Sequence, residues 1–84
     1  MNHPQICRRP QVLELLQISR SNLYKKIENG LWPKPIQLGA RAVAWLSTEN
    51  EKMLAAIIAG QSTEEIKQLV KTLEESRKQL KGVS

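Results

Sequence analysis

Apolar residues in the first part of the chain recur with a helical period. Those between positions 12 and 16 fall at one-, three- and four-residue spacings, which predicts a short helix with one buried face. This helix is expected to begin near Arg9 or Pro10, since proline has no N–H that the first helical turn would leave unpaired. Gln17 and Ile18 interrupt the pattern and predict a turn.

A second short helix is predicted between Ser19 and Gly30. Ser19 is a natural N-cap, and Gly30 tolerates the left-handed conformation that ends many helices. Ile18 before the cap and Leu23 inside the helix are spaced as a hydrophobic staple. Two short helices separated by about three residues indicate a helix-turn-helix.

Alternating apolar positions then predict a hairpin. Residues 36–38 and 42–45 favour two short strands, and positions 39–41 between them favour a tight turn. An isolated hairpin is marginally stable in water, so this one is expected to lean on the helices as a wing. Trp32 and Trp45 are expected to belong to the core under that wing.

The remaining chain predicts two further helices. One starts near Ser47 or Thr48 and closes at Gly60, and a longer one opens with a capping box at Ser62 and runs to about Lys81. The predicted fold class is therefore mainly α with a small β-hairpin. Its parts are a flexible arm at 1–8, a winged helix-turn-helix at 9–60 and a long amphipathic helix at 61–84.

The second helix carries more polar side chains than support of a core requires. On a helical wheel at about 100° per residue, with Leu23 and Ile27 inward, Ser21 and Lys25 point outward and Tyr24 lies on one shoulder. Such side chains can pair with base edges in a DNA major groove, although a solvated helix face has a similar composition. The candidate DNA-binding residues are Ser19, Arg20, Ser21, Asn22, Tyr24, Lys25, Lys26, Lys34 and Arg41.

These candidates divide by expected role. Lys26 and Lys34 suit phosphates, which orient a protein on DNA without reading its sequence. Arg41 at the hairpin tip suits a narrow minor groove, or is simply a solubilising turn residue.

The charge distribution also indicates a polyanionic partner. Residues 1–45 hold seven basic and two acidic residues, a net charge of +5, whereas residues 46–84 hold six of each. Excess positive charge confined to one part of a chain most often serves nucleic acid. Double-stranded DNA is the expected partner, and RNA is a weaker alternative because RNA modules favour exposed aromatic residues on a sheet.

Several other classes of protein find no support in the sequence. His3 and Cys7 are too few ligands to close a zinc site, and no nucleophile–base pair or phosphate loop occurs, so we expect no metal, no cofactor and no enzyme activity. A single cysteine forms no internal disulfide. With no apolar run approaching the roughly 20 residues of a membrane span, and no signal-peptide pattern, the protein is expected to be cytoplasmic and away from membranes.

A family resemblance makes these expectations specific. The segment "RRPQVLELLQISRSNLYKKIENGLWPKPIQLGARAVAWLSTE" resembles the AlpA family of phage and prophage regulators, which is related to excisionases and to the winged-helix heads of MerR-type proteins. The resemblance runs roughly from Arg9 to Ala59. It implies DNA binding and transcriptional control in integrated elements, with excision control in some relatives. This chain departs from the family pattern at Gln17, where glycine is common, and at Asn50, where an apolar residue is common.

By position, the resemblance assigns five of the candidates to the recognition helix and one to the wing. The former are Ser19, Arg20, Ser21, Tyr24 and Lys25, and the latter is Arg41.

The last helix carries an apolar stripe with three explanations. It packs on its own domain, pairs with a second copy as a homodimer or cooperative assembly on DNA, or binds a recombinase, integrase or regulator. We favour self-association; the alternative function is an adaptor that recruits a recombinase or regulator through this helix. The residues of the stripe are Ile66, Leu69, Val70, Leu73 and Leu80.

Overall fold

The computed structural model describes the backbone of residues 5–81 and the side chains of residues 5–79. It confirms the predicted fold class, mainly α with a small antiparallel sheet and a long C-terminal helix. The elements in chain order are β1 (Ile6–Arg8), α1 (Arg9–Leu16), α2 (Arg20–Glu28), β2 (Ile36–Gln37), β3 (Val43–Leu46), α3 (Ser47–Ile58) and α4 (Thr63–Lys81).

The helix-turn-helix consists of α1 and α2. Gln17 ends α1 in the left-handed region, with φ of 55° and ψ of 47°, and its N–H donates to the Leu13 carbonyl. Ser19 caps α2 as predicted, since its Oγ accepts from the Asn22 N–H at 3.2 Å. Gly30 follows α2 with φ of 74°, a conformation that favours glycine.

The predicted wing is the hairpin of β2 and β3. Ile36 pairs with Ala44 and Gln37 with Val43, and the Leu38 N–H donates to the Ala42 carbonyl at 2.8 Å beyond the paired residues. The turn between the strands lies at the free end of this wing. Close pairing on both sides therefore fixes where the turn projects.

The prediction of a flexible arm over residues 1–8 is wrong for its last part. Ile6–Arg8 forms β1, which pairs antiparallel with β3 and gives the sheet the order β1-β3-β2. The Ser47 N–H extends this pairing to the Gln5 carbonyl at 2.8 Å. Residues 1–4 of the predicted arm lie outside the described residues. A three-residue strand carries too little periodicity to be recognised in a sequence.

One hydrophobic core joins the helices to the wing, and both tryptophans belong to it as predicted. The Trp45 Nε1–H donates to the Pro33 carbonyl at 2.7 Å, which satisfies the indole inside the core. This contact ties the linker after α2 to β3. The buried residues of the core are Val12, Leu23, Trp32, Trp45, Met53, Ala56, Ile66, Val70 and Leu73.

Self-association is the role predicted for the stripe on α4, but its described residues pack on the protein's own domain, and pairing with a second copy stays a prediction. Ile66, Val70 and Leu73 are at most 7% exposed and belong to the protein's own core, and Leu69 is half-buried against it. Leu80 is part of α4, but its side chain lies outside the described residues. The small domain thereby buries apolar surface that the six helices and strands before α4 leave uncovered. The boundary predicted at residues 60 and 61 therefore separates two segments that share one hydrophobic core.

Polar contacts fix α4 at both of its flanks. Arg77 pairs with Glu49 in two hydrogen bonds of 2.6 and 2.8 Å, and the Glu49 side chain is only 3% exposed. Glu49 Oε1 also accepts from the Leu46 N–H at the start of α3. On the other flank, Glu74 Oε2 accepts from the Lys34 N–H at 2.8 Å. The helix thus connects the start of α3 to the linker between α2 and the wing.

Within residues 5–81, we find no helix that is long and apolar enough to cross a membrane.

Candidate nucleic-acid interface

Four polar side chains cover the outward side of α2. Leu23 is fully buried and Ile27 packs against the core, as the helical wheel predicted. The four exposed polar side chains on the opposite side of the helix form the recognition face. They are Arg20, Ser21, Asn22 and Lys25.

Ser19 has a different role from the other predicted contacts. Its hydroxyl accepts the Asn22 N–H and so is committed to the end of the helix. The residue remains exposed beside the recognition face, but its first function is to fix where α2 begins. Substitution of this cap would therefore affect the recognition face indirectly, through the start of the helix.

Tyr24 lies at the edge of the recognition face. Its side chain is half-buried, and its hydroxyl accepts a hydrogen bond from Arg9 Nη1 at 3.2 Å. Arg9 is the first residue of α1, so this contact joins the two helices of the helix-turn-helix. The sequence analysis missed Arg9, because a contact between residues 15 positions apart leaves no periodic signal.

An open groove runs alongside α2 toward the wing. Lys34 is exposed on its border, and the hydrogen bond from its backbone N–H to Glu74 holds the segment that carries it. The groove admits ligand atoms from solvent between the helix and the linker. The residues that line it are Ser21, Tyr24, Lys25, Ile27, Glu28 and Lys34.

Lys26 is the predicted phosphate contact with the least access to solvent. Its side chain is half-buried, on the flank of α2 between the recognition face and the core. The ammonium group of Lys26 is therefore less accessible to a phosphate than that of its exposed neighbour Lys25.

The tip of the wing carries Arg41 as an exposed side chain. Beside the turn, Arg8 Nε donates to the carbonyl of Val43, the first residue of β3, at 3.2 Å. Near the turn, the Gln37 side chain donates to the Gly39 carbonyl at 2.6 Å. These two bonds hold the strand ends on either side of the turn, so the charge of Arg41 is presented on an ordered turn.

The cations of this surface have no internal counter-ions among the described residues. The salt bridge that the structure shows there joins Arg77 to Glu49, on α4 and α3. Arg20, Lys25, Lys34 and Arg41 therefore present unneutralised charge on α2, the linker and the wing. An anionic ligand would encounter these charges without first displacing a carboxylate.

Cys7 is a core-facing residue of β1. It is half-buried against the hydrophobic core, and burial raises the pKa of its thiol above the usual value. The neighbouring Asn50 is 3% exposed, and its amide finds no nitrogen or oxygen partner among residues 5–79. Cys7 is therefore a poor nucleophile with a packing role, whereas His3 lies outside the described residues.

Comparison with known proteins gives one family and one relative. The family model described as "Prophage CP4-57 regulatory protein (AlpA)" matches residues 5–55, which hold β1, the helix-turn-helix, the wing and most of α3. The chain is 41% identical over 51 residues to "Uncharacterized protein ORF88" of Enterobacteria phage P4. That match covers 61% of this chain and 58% of the relative, so the chain spans less than two thirds of the phage protein. No solved structure matches the chain.

Proposed function

Because the chain belongs to the AlpA family of prophage regulatory proteins, we propose that it is a sequence-specific, double-stranded DNA-binding transcriptional regulator of a phage or integrated element. The observation that carries this proposal is the exposed recognition face of α2, which lies beside a wing that also ends in an exposed arginine. The protein acts on DNA by binding, without catalysis or a cofactor.

In this proposal α2 lies in the major groove. Arg20 and Lys25 donate to guanine acceptors, Asn22 pairs with adenine, and Ser21 bonds a base or a phosphate. Their side chains are exposed, so they meet the base edges without any rearrangement of the core. Each good base contact discriminates against a wrong base pair by about 1–3 kcal/mol.

The wing and the linker supply the remaining contacts. Arg41 lies on the backbone or in the minor groove next to the segment that α2 reads, and Lys34 binds a phosphate between them. Because Glu74 holds the Lys34 backbone and Arg8 holds β3, both contacts are presented by an ordered chain. Preorganisation of this kind lowers the entropy lost on binding.

An adaptor function through α4 has less support. Three residues of the stripe proposed for capture of a recombinase or regulator, Ile66, Val70 and Leu73, lie in the core, so a partner would have to displace α4 to reach them. In this proposal, control of excision is a second effect of the same DNA contacts, besides control of transcription. An assay of element excision in cells, run beside a promoter-reporter assay, measures it independently.

A salt titration tests the DNA-binding proposal. The wild-type protein is first used to select a binding site from a random-sequence duplex library. Its affinity for the selected duplex and for an unrelated duplex is then measured by fluorescence anisotropy across a range of salt concentrations. With roughly four to six phosphate contacts, log K is expected to fall against log[salt] with a slope of about −4 to −5.

The selected duplex is expected to bind at least about a thousandfold more tightly than the unrelated one. Failure to select any sequence, together with a flat salt dependence, would contradict the proposal. Lys52→Gln, which removes an exposed charge on α3, is the matched control and should leave the preference for the selected duplex unchanged.

A further inference from the structure

Arg9 and Tyr24 form a polar pair whose hydrogen-bonding capacity is only partly used. Arg9 Nη1 donates to Tyr24 Oη at 3.2 Å. The phenol oxygen is the acceptor in this bond, so its own O–H remains available to donate. A guanidinium carries five N–H donors, and this bond uses one of them.

The charge of Arg9 also has no partner inside the described part of the protein. No carboxylate lies within salt-bridge distance of its guanidinium among residues 5–79, although the side chain is half-buried. A half-buried cation without a carboxylate is unusual, because desolvation weakens its hydration while nothing in the chain compensates. An anion from outside the chain would supply that compensation.

The location of the pair makes it accessible to the ligand of α2. Tyr24 lines the same open groove as Ser21 and Lys25. Arg9 is the first residue of α1, and its bond to Tyr24 brings its guanidinium to α2. A group bound here would contact α1 and α2 together.

Resting on the proposed function, we propose that Arg9 and Tyr24 together bind one phosphate of the DNA backbone beside the recognition face. The ligand must accept hydrogen bonds from a phenol and a planar guanidinium and must carry negative charge, and a phosphate oxygen meets all three requirements. The contact belongs to the backbone, so it positions α2 in the groove without reading a base.

Three variants test this site on the full chain with the selected and the unrelated duplex as probes. Arg9→Gln removes the charge and is expected to weaken both duplexes about tenfold and to make the salt slope shallower by about 0.9. Arg9→Lys keeps the charge and is expected to keep the slope. Tyr24→Phe removes only the hydroxyl and is expected to weaken both duplexes about fivefold at an unchanged slope.

The double variant Arg9→Gln with Tyr24→Phe distinguishes a shared phosphate from two separate effects. Tyr24→Phe should weaken binding less in the Arg9→Gln background than in the wild type, because the two groups contact the same phosphate. Lys52→Gln is the control for loss of one positive charge and should change the slope less than Arg9→Gln does. Thermal unfolding of each variant is recorded in parallel.

A purely structural role for the pair gives a different result. In that case Arg9→Gln lowers the unfolding midpoint but leaves the salt slope at the wild-type value, and Tyr24→Phe leaves the affinity for both duplexes unchanged, which overturns the inference while DNA binding itself stands. Should Arg9→Gln fail to fold, Tyr24→Phe still decides: an affinity equal to that of the wild type overturns the inference. Absence of DNA binding by the wild-type protein refutes the proposed function instead.

Discussion

Helices α2 and α4 are both rich in charged residues, yet they use them in opposite ways. In α2 the charges of the recognition face extend into solvent and meet no carboxylate of the described chain. In α4 two charged side chains turn inward, where Arg77 pairs with Glu49 and Glu74 accepts from the Lys34 backbone. The difference shows that a charged helix is a candidate binding surface only when its charges lack partners within the protein.

The apolar sides of the two helices also differ, in how many residues each helix places in the core. Leu23 anchors α2 in the core with Ile27 at its margin, whereas Ile66, Val70 and Leu73 anchor three successive turns of α4. We therefore expect α4 to determine stability and α2 to determine DNA affinity. The predictions below test that separation, from the largest effect to the smallest.

Removal of α4 should abolish the fold. A chain that ends at Gly60 loses Ile66, Val70 and Leu73 from the core, at a cost of about 5 kcal/mol or more, which is comparable with the whole stability of a small domain. Thermal unfolding followed by circular dichroism should then show no cooperative transition.

In the full chain, Val70→Asp and Lys71→Asp give a matched pair, because the first residue is buried and its neighbour is exposed. Only Val70→Asp should unfold the protein. A cooperative melt of the truncated chain would show that α4 is an appendage after all.

Loss of the Arg77 charge should be the next largest effect. Arg77→Met keeps an apolar stem but leaves the Glu49 carboxylate, 3% exposed, without its cation. Breaking a buried pair in this way typically costs about 3–5 kcal/mol, and the partial exposure of Arg77 places the expected loss near the lower figure. Urea unfolding measures it, with Lys78→Met as the control at the adjacent exposed position. Equal stability of the two variants would refute a role for the pair.

Loss of the Lys25 charge should affect DNA recognition and leave stability nearly unchanged. Lys25→Ala is expected to weaken the selected duplex by about 1–3 kcal/mol, with a change in unfolding free energy within about 0.5 kcal/mol. Lys34→Ala is the comparison, because loss of a phosphate contact should weaken the selected and the unrelated duplex alike. Anisotropy titrations of both duplexes measure the two effects. Equal losses on both duplexes for Lys25→Ala would assign this lysine to the backbone.

Replacement of Gln17 by glycine should stabilise the protein slightly. Gln17 has φ of 55°, where a side chain costs about 1–2 kcal/mol, and the greater unfolded-state freedom of glycine offsets much of that gain. The expected net change is about 0.5 kcal/mol, seen as a higher unfolding midpoint. Glu14→Gly, inside α1, is the control and should destabilise by about 1 kcal/mol. A lower midpoint for Gln17→Gly would show that the side chain itself stabilises the turn.

Local signals made the helix-turn-helix and the wing predictable from sequence. Ser19, Gly30 and the alternation after Pro35 act within a few residues of themselves, and the structure places the elements where those signals predict. The same holds for the recognition face, because the inward positions of a short helix determine which side chains remain outside.

Contacts between distant segments were not predictable in the same way. Strand β1 exists because β3 offers it a free edge, more than 35 positions away in sequence. The stripe on α4 has the same spacing whether it covers its own core or a second copy, so periodicity alone did not distinguish the two. Asn50 was flagged as a departure from the family, but only the structure shows its amide buried without a nitrogen or oxygen partner among the described residues.

The bond from the Lys34 N–H to Glu74 connects the last helix to the linker between α2 and the wing. Through this bond α4 holds the linker, and the linker sets the spacing between α2 and the wing. The family match ends at residue 55, so it includes Lys34 but not Glu74. If α2 and the wing bind DNA as proposed, substitutions in α4 that break this bond would change the spacing of their contacts. The preferred DNA sequence would then change without any substitution in α2 or the wing.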